Sequence, residues 1–321
     1  MSDYVITVRN VEGKNFGTEP GSANFLKVPI NLLPKPTHAI AADDWIREVL
    51  REAVHSTDSA TGKNRGDILV FIHGYNNGQD IIMKRHRQLS SDLNDQGYKG
   101  TVVSFDWPSA EMALNYWEDR SDAKQTAISL VTDCIVRFAR LQNNDCLVNV
   151  HLLAHSTGAY VVREAFDDAD DRNAIANSNW MVSQIMLIGG DISSDCMSDD
   201  DPGSDSLYRH CVRLTNYWNS YDSVLKLSNA KRMGMAPRVG RVGLPDNSPK
   251  MAVDVDCSAY FDTLDEDKYP YEFYGTFCHS WHIGNPVFTK DVIATIQGDM
   301  DRNKLPTRRT NENGELVLSE A

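Results

Sequence analysis

The chain has 321 residues and a formal net charge of −13, from 32 Lys and Arg against 45 Asp and Glu. Hydrophobic residues make up 41% and charged residues 24%, the composition of an ordinary globular protein rather than a disordered one. The acidity argues against nucleic acid as a partner, because phosphate backbones attract basic surfaces. No apolar run approaches the roughly 18 residues of a membrane-spanning helix, so no membrane span is expected.

The start of the chain and its cysteines bear on localisation and cofactors. The first ten residues alternate like a β-strand and contain no apolar core of a signal peptide. The six cysteines form no C-x-x-C pair and no metal-type spacing with histidine, so we expect reduced cysteines and a cytoplasmic location. The sequence has no H-E-x-x-H or comparable cluster, and neither a cofactor nor a metal is expected.

Predicted helices and strands alternate from about residue 43 onward. A helix is predicted over 43–54, where apolar residues recur at helical spacing, and a polar loop over 55–66. Short apolar runs predict buried parallel strands at 68–72, 101–105, 147–154, 185–188, 212–218 and 252–257. Further helices are predicted at 119–141, 158–166 and 287–296.

This alternation predicts a single α/β domain over residues 1–321. Its central sheet should be mostly parallel with helices on both faces, because parallel strands need crossover connections. The core of the domain is predicted over about residues 65–297. Residues 193–206 are polar and acidic and are expected to form a surface loop. Residues 299–321 are charged and poor in apolar side chains, which predicts a loosely held tail.

The strongest chemical signal is the sequence A-H-S-T-G at 154–158. It follows a predicted strand and precedes a predicted helix, which is the context of a nucleophile elbow. The small residues Ala154 and Gly158 let strand and helix approach closely, and the sharp turn strains the central serine. Ser156 is therefore predicted as the nucleophile, against the alternative of an ordinary turn.

A second signal is H-G-Y-N-N-G at 73–78, after an earlier predicted strand. Acyl transfer needs fixed N–H donors around the developing oxyanion. One donor follows the nucleophile and the other lies on the loop after the earlier strand, which predicts the backbone N–H groups of Thr157 and Tyr75. His73 and Gly74 can also simply shape a tight loop. The two interpretations are compatible, because the loop shape positions the donor.

The base of a catalytic triad follows the serine along the chain in this arrangement. Three histidines follow Ser156. His210 precedes a predicted strand, whereas His279 and His282 lie in the loop between the last strand and the last helix. We predict His279 as the general base and His282 as a neighbouring histidine without that role.

Two carboxylates compete as the acid that orients the base. Asp222 follows the strand predicted at 212–218, and Asp191 follows the strand predicted at 185–188. Asp222 is preferred, although it can also cap the helix that follows it, since Asp is favoured at helix N-termini. Asp191 stays as the rival.

Together these motifs resemble a largely uncharacterised bacterial branch of the α/β-hydrolases, over roughly residues 65–297. The matching blocks, in chain order, are 70–77 (VFIHGYNN), 105–109 (FDWPS), Tyr116 with Asp119-Arg120, 155–158 (HSTG), 190–192 (GDI), 221–225 (YDSVL) and 279–281 (HSW). The resemblance implies an α/β-hydrolase fold and a Ser–Asp–His triad at Ser156, Asp222 and His279. Two residues depart from its pattern: Thr157 replaces a more usual Met, and Asp106 a more usual Ser with no catalytic consequence evident.

The predicted reaction is hydrolysis of a small-molecule carboxylic ester through an acyl-enzyme. Thioester or amide cleavage, and acyl transfer to another acceptor, would use the same residues. The alternative from a different class is a catalytically silent α/β-hydrolase scaffold that binds a ligand or a protein partner. The natural substrate and the oligomeric state are left open.

Overall fold

The centre of the structure is a run of eight parallel strands, extended by antiparallel strands at both ends. This computed structural model describes residues 2–75, 77–109, 116–141, 146–176, 178–230, 236–269 and 275–320. The strands are β1 (Ser2–Glu12), β2 (Asn15–Pro29), β3 (Ala39–Ile40), β4 (Val54–Thr57), β5 (Asn64–Ile72), β6 (Thr101–Asp106), β7 (Cys146–His155), β8 (Val182–Ile188), β9 (Cys211–Trp218), β10 (Ala252–Asp256), β11 (Arg308–Thr310) and β12 (Leu316–Leu318). Their order in the sheet is β11-β12-β10-β9-β8-β7-β5-β6-β1-β2-β3, and β4 pairs with β5.

Helices cover both faces of the sheet. They are α1 (Ala42–Ala53), α2 (Gln79–Asp95), α3 (Tyr116–Ser129), α4 (Val136–Leu141), α5 (Thr157–Asp170), α6 (Asn173–Ala176), α7 (Pro202–Arg209), α8 (Ser223–Ala230), α9 (Val239–Val242), α10 (Ser258–Phe261), α11 (Phe277–Ser280) and α12 (Pro286–Gln297). A π-helical turn, Leu130–Ile135, joins α3 to α4, and short 3-10 turns lie at Pro36–His38, Asp195–Met197 and Glu266–Lys268. Within the described ranges, no helix is both long and apolar enough to cross a membrane.

The buried strands have apolar side chains on both faces, which is why their sequences are continuous apolar runs. In β5, Ile68, Val70 and Ile72 pack in one core cluster, whereas Leu69 and Phe71 pack in the cluster on the opposite face. Side chains of a strand alternate between faces, so both faces must be covered by helices. The predicted α/β architecture with a mostly parallel sheet is confirmed.

The sheet extends beyond the predicted core of 65–297. At the N-terminal side, β1 pairs in parallel with β6 and brings β2 and β3 with it. Half of the predicted loop over 55–66 instead forms an antiparallel pair of β4 with the start of β5, at 55–57 and 64–66. Its residues are polar and mostly exposed, so they lack the apolar signal of the inner strands.

The prediction of a loosely held tail over 299–321 is wrong. Strand β12 pairs with β10 and β11 pairs with β12, which adds both to the sheet. The fully buried Arg308 guanidinium contacts the equally buried Asp291 carboxylate of α12 with two nitrogens, at 2.9 and 2.6 Å. Tyr217 and Thr307 also donate their hydroxyls to Asp291, each at 2.6 Å. A buried ion pair 17 residues apart in sequence therefore fixes the C-terminal segment.

Removal of the Arg308 guanidinium should destabilise the protein strongly. Arg308→Ala leaves the Asp291 carboxylate buried without its cation, and we expect the free energy of unfolding to fall by about 3–5 kcal/mol. The matched control is Arg309→Ala, which removes an exposed guanidinium from the next position. Urea unfolding at pH 7 measures both variants. Equal small losses for the two would contradict the role given to the buried pair.

Candidate active site

Ser156 lies in the sharp turn between β7 and α5. Its backbone has φ 57° and ψ −124°, a region that residues with a Cβ rarely occupy and that costs about 1–3 kcal/mol. Two hydrogen bonds to other segments fix the turn: Ser156 N–H donates to the Ile188 carbonyl at 3.0 Å, and the Ser156 carbonyl accepts from Asp191 N–H at 3.0 Å. The strained serine is therefore held by the end of β8 and the residues after it.

Two glycines allow the segments around Ser156 to approach closely. A Cβ at Gly158 would lie 2.4 Å from the carbonyl oxygen of Ile72, at the end of β5. A Cβ at Gly74 would lie 2.8 Å from Ser156 Cβ and 3.3 Å from its Oγ. Any residue with a Cβ would clash at these two positions. Helix α5 and the residues that directly follow β5 consequently meet at the serine.

Asp222 and His279 form a hydrogen-bonded pair. Asp222 Oδ2 lies 2.6 Å from His279 Nδ1, and the carboxylate, just beyond β9, is almost fully buried. Its other oxygen, Oδ1, accepts from Leu225 N–H at 2.9 Å, so Asp222 also caps α8. Because Nδ1 donates to the carboxylate, the neutral imidazole has its free lone pair on Nε2. That nitrogen is the atom a general base would use.

Asp191, the rival acid, contacts a different partner. Its Oδ1 lies 3.0 Å from Nε of Arg238, and both side chains are buried. Its backbone N–H donates to the Ser156 carbonyl. Asp191 therefore neutralises a buried guanidinium and supports the turn, whereas Asp222 contacts the imidazole of His279.

His155 and His282 pack beside His279 in a buried cluster of rings. The ring centroid of His155 lies 4.6 Å from that of His279 and 4.7 Å from that of His282. His155 Nε2 donates to the His279 carbonyl at 2.9 Å. Burial lowers the pKa of both His155 and His282 well below the usual value, and repulsion from Arg85 and His279 acts in the same direction. Both rings are therefore neutral near pH 7.

The predicted oxyanion donors lie on the two segments that meet at Ser156. Thr157 is the first residue of α5, a helix of 14 residues whose N-terminus favours negative charge. Tyr75 follows Gly74 on the loop after β5, and Gly74 is in contact distance of Ser156. Asn76, and the side chains of the Tyr116 and Asp119-Arg120 block, lie outside the described residues.

The contacts of a polar cluster beside His73 were not predicted from the sequence. Asp106 lies 2.7 Å from Nε of Arg9, 97 residues away, and both side chains are buried. His73 stacks on Trp107 with ring centroids 5.3 Å apart, and burial lowers the pKa of His73, which keeps the ring neutral. In the sequence, the only local indication of this cluster was Asp106, a charged residue at the end of an apolar strand.

Exchange of Asp222 and of Asp191 for Asn should show which of the two carboxylates orients His279. In Asp222→Asn the side-chain amide can donate to Nδ1 and favour the wrong tautomer, so we expect kcat to fall by about four orders of magnitude with KM little changed. Asp191→Asn is the matched control, and it should keep His279 oriented and lose much less turnover. Steady-state kinetics on one soluble ester, with thermal melts, measures both. A collapse in folded Asp191→Asn alone would reverse the assignment.

Buried neutral histidines should make the protein sensitive to acid. Burial lowers the pKa of His86 to about 4. In the unfolded chain this histidine binds a proton near pH 6.5, whereas in the folded chain it stays neutral until the pH approaches 4. This stabilisation is present above pH 6.5 and is lost as pH falls toward 4. From pH 7 to pH 4.5 the free energy of unfolding should fall in both proteins. The fall should be about 2 kcal/mol smaller for His86→Gln than for the wild type. Urea unfolding at both pH values checks this, and an identical fall would refute it.

The parallel sheet with helices on both faces and the turn of Ser156 between strand and helix are those of an α/β hydrolase. The chain belongs to the family described as alpha/beta hydrolase of unknown function (DUF900), whose model matches residues 51–263. The matched region contains Ser156 and Asp222 and ends before His279.

The chain is similar to a curated protein and to several solved structures at low sequence identity. The uncharacterised protein alr1448 of Nostoc sp. (strain PCC 7120) is 24% identical over 152 residues, 39% of this chain, and the chain spans 38% of the length of that relative. The putative cell surface hydrolase from Lactobacillus plantarum WCFS1 has 13% identity and a TM-score of 0.35, over 73% of this chain and 90% of that one. An inhibited esterase B from Lactobacillus rhamnosis has 11% identity and a TM-score of 0.39, over 72% of this chain and 76% of that one. Phospholipase PlaB from Legionella pneumophila, in complex with thio-NAD, has 13% identity and a TM-score of 0.31, over 50% of this chain and 39% of that one.

Proposed function

We propose that the protein is a serine hydrolase that cleaves small-molecule carboxylic esters through an acyl-enzyme. The observation that carries the proposal is the 2.6 Å contact between Asp222 Oδ2 and His279 Nδ1, in a fold that also strains Ser156 at a strand-to-helix turn. Nucleophile, orienting acid and base come in the chain order Ser, Asp, His that this fold uses. Ser156 and Asp222 lie just after the parallel strands β7 and β9, at the edge of the sheet where ligands of α/β folds bind, and His279 lies in the short helix α11.

In the proposed mechanism Ser156 Oγ attacks the ester carbonyl and His279 Nε2 removes its proton. Asp222 holds the imidazole in the required tautomer and stabilises the imidazolium that forms. The N–H groups of Tyr75 and Thr157 bind the oxyanion of the tetrahedral intermediate. His279 then protonates the leaving alcohol, and a water activated by the same imidazole hydrolyses the acyl-enzyme and restores the serine.

A silent binding scaffold is the alternative of a different class. Such a scaffold needs neither a serine in a costly backbone conformation nor a buried carboxylate paired with an imidazole. Esters are favoured as substrates over amides because an alcohol is the easier leaving group for this machinery. Thioester cleavage and transfer to another acyl acceptor use the same residues, and the substrate panel below distinguishes thioester from ester cleavage.

Fluorophosphonate labelling tests the proposal. The folded protein should be labelled at one serine, identified as Ser156 by peptide mapping, and heat-denatured protein should stay unlabelled. A panel of p-nitrophenyl esters of rising acyl length, with matched thioesters and anilides, should then show ester turnover with the highest kcat/KM. Absence of both label and turnover would favour the silent scaffold. A label at another serine would move the nucleophile.

A further inference from the structure

The peptide that joins Gly74 to Tyr75 is held by two side chains. The Gly74 carbonyl accepts a hydrogen bond from His73 Nδ1 at 2.7 Å and another from Asn77 Nδ2 at 2.8 Å. Peptide bonds in the described ranges are trans. A trans peptide is planar, and its N–H points opposite to its C=O. The direction of the Gly74 carbonyl therefore fixes the direction of the Tyr75 N–H, the proposed oxyanion donor.

Asn77 holds Tyr75 from both sides. Its side-chain nitrogen donates to the Tyr75 carbonyl at 3.0 Å as well as to the Gly74 carbonyl. An amide nitrogen has two hydrogens, so both are used on the two peptides that flank Tyr75. Asn77 is almost fully buried, and a donor lost there would leave two carbonyls without these partners.

Asn77 is in turn fixed by residues distant in sequence. Arg9 Nη2 on β1 donates to the Asn77 carbonyl at 3.2 Å, while Arg9 Nε contacts Asp106 Oδ1 at 2.7 Å. Ser109 Oγ accepts from Asn77 N–H at 3.3 Å and donates to the Asn77 carbonyl at 3.1 Å. Burial alone would raise the pKa of Asp106, but the positive charge of Arg9 keeps it below the usual value, so the pair stays ionised.

We propose that Asn77 and Arg9 are positioning residues of the oxyanion hole, in which Arg9 fixes the loop through Asn77 and Asn77 fixes the direction of the Tyr75 N–H. The inference rests on the proposed function and goes beyond it, because β1 lies outside the residues matched by the family model. Neither residue contacts the reacting atoms. Their loss should weaken transition-state binding and leave ground-state binding of the ester nearly unchanged.

Two variants test this positioning role. Asn77→Asp keeps the shape of the side chain but removes both donors, and we expect kcat to fall by about 10²–10³, the cost of one oxyanion donor, with KM nearly unchanged. Arg9→Lys keeps a cation beside Asp106 but loses the fork that also reaches Asn77, and kcat should fall about tenfold. The matched control is Arg308→Lys, a buried arginine of another Arg–Asp pair, which should keep wild-type kcat.

A trifluoromethyl ketone gives the second readout. Ser156 adds to its carbonyl, and the hemiketal oxygen occupies the place of the oxyanion. If the loop positions the donor, the inhibition constant should rise across the variants by the same factor by which kcat/KM falls. A merely structural role would lower the amount of active protein without this proportional change in the inhibition constant.

The outcomes are distinct. Wild-type kcat in a folded Asn77→Asp, or activity losses that the inhibition constant does not follow, would overturn the positioning role while the hydrolase function stands. If Asn77→Asp fails to fold, Arg9→Lys decides by the same two measurements. Absence of fluorophosphonate label on wild-type Ser156 would instead overturn the proposed function, and the inference with it, before any variant is compared.

Discussion

Ser156→Ala is expected to lower kcat for ester hydrolysis by about six orders of magnitude. The reason is that the hydroxyl is the only proposed nucleophile, and the Asp222–His279 pair has no proton to accept without it. The binding surface and the oxyanion donors remain, so KM for any residual turnover should change little. Initial rates on a p-nitrophenyl ester, with fluorophosphonate labelling in parallel, measure the loss.

A matched serine controls for general effects of the substitution. Ser223 lies next to Asp222, is exposed, and places its Oγ 3.2 Å from Cys278 Sγ. Ser223→Ala should keep turnover and labelling near the wild-type level. Thermal melts of both variants establish that the fold survives. Wild-type turnover in Ser156→Ala would remove this serine from the mechanism.

The inner strands and the strand-to-helix turn at Ser156 could be predicted because their signals are local. A strand buried on both faces must be a continuous apolar run, and 68–72 is such a run. The strand–turn–helix context of Ser156 is contained in neighbouring residues, and the elbow follows from small side chains at Ala154 and Gly158. Helix α2 escaped prediction because the buried polar residues Arg85 and His86 interrupt its apolar pattern.

The remaining features depend on pairs that are distant in sequence. Asp191 and Asp222 both follow strand ends, and their partners distinguish them: Asp191 contacts Arg238 and Asp222 contacts His279. The C-terminal segment has few apolar residues of its own and is held by the buried pair of Arg308 with Asp291. In both cases an ionic contact between residues distant in sequence fixes the local structure. Such a contact leaves no helical or strand periodicity in the sequence, so it could not be predicted.

Replacement of His279 should show that only one of the two neighbouring histidines acts as the base. His279→Ala should lower kcat by about six orders of magnitude, as loss of the serine does, because nucleophile and base act as a unit. The Asp222 carboxylate keeps its bond to Leu225 N–H, so the variant should stay folded. Added imidazole should restore part of the rate by entering the space that the ring leaves, and it should restore nothing in Ser156→Ala.

His282→Phe is the matched comparison. Within the described part of the chain neither ring nitrogen of His282 has a hydrogen-bond partner, and the ring packs against Phe288 with centroids 5.4 Å apart. A phenyl ring fills the same space without a titratable nitrogen, so turnover should stay close to the wild-type rate. The pH dependence of kcat/KM should also keep its shape, because the group that titrates in catalysis would still be present. If His282→Phe abolished turnover while His279→Ala retained it, the general base would be His282, and the contact between Asp222 and His279 would be structural.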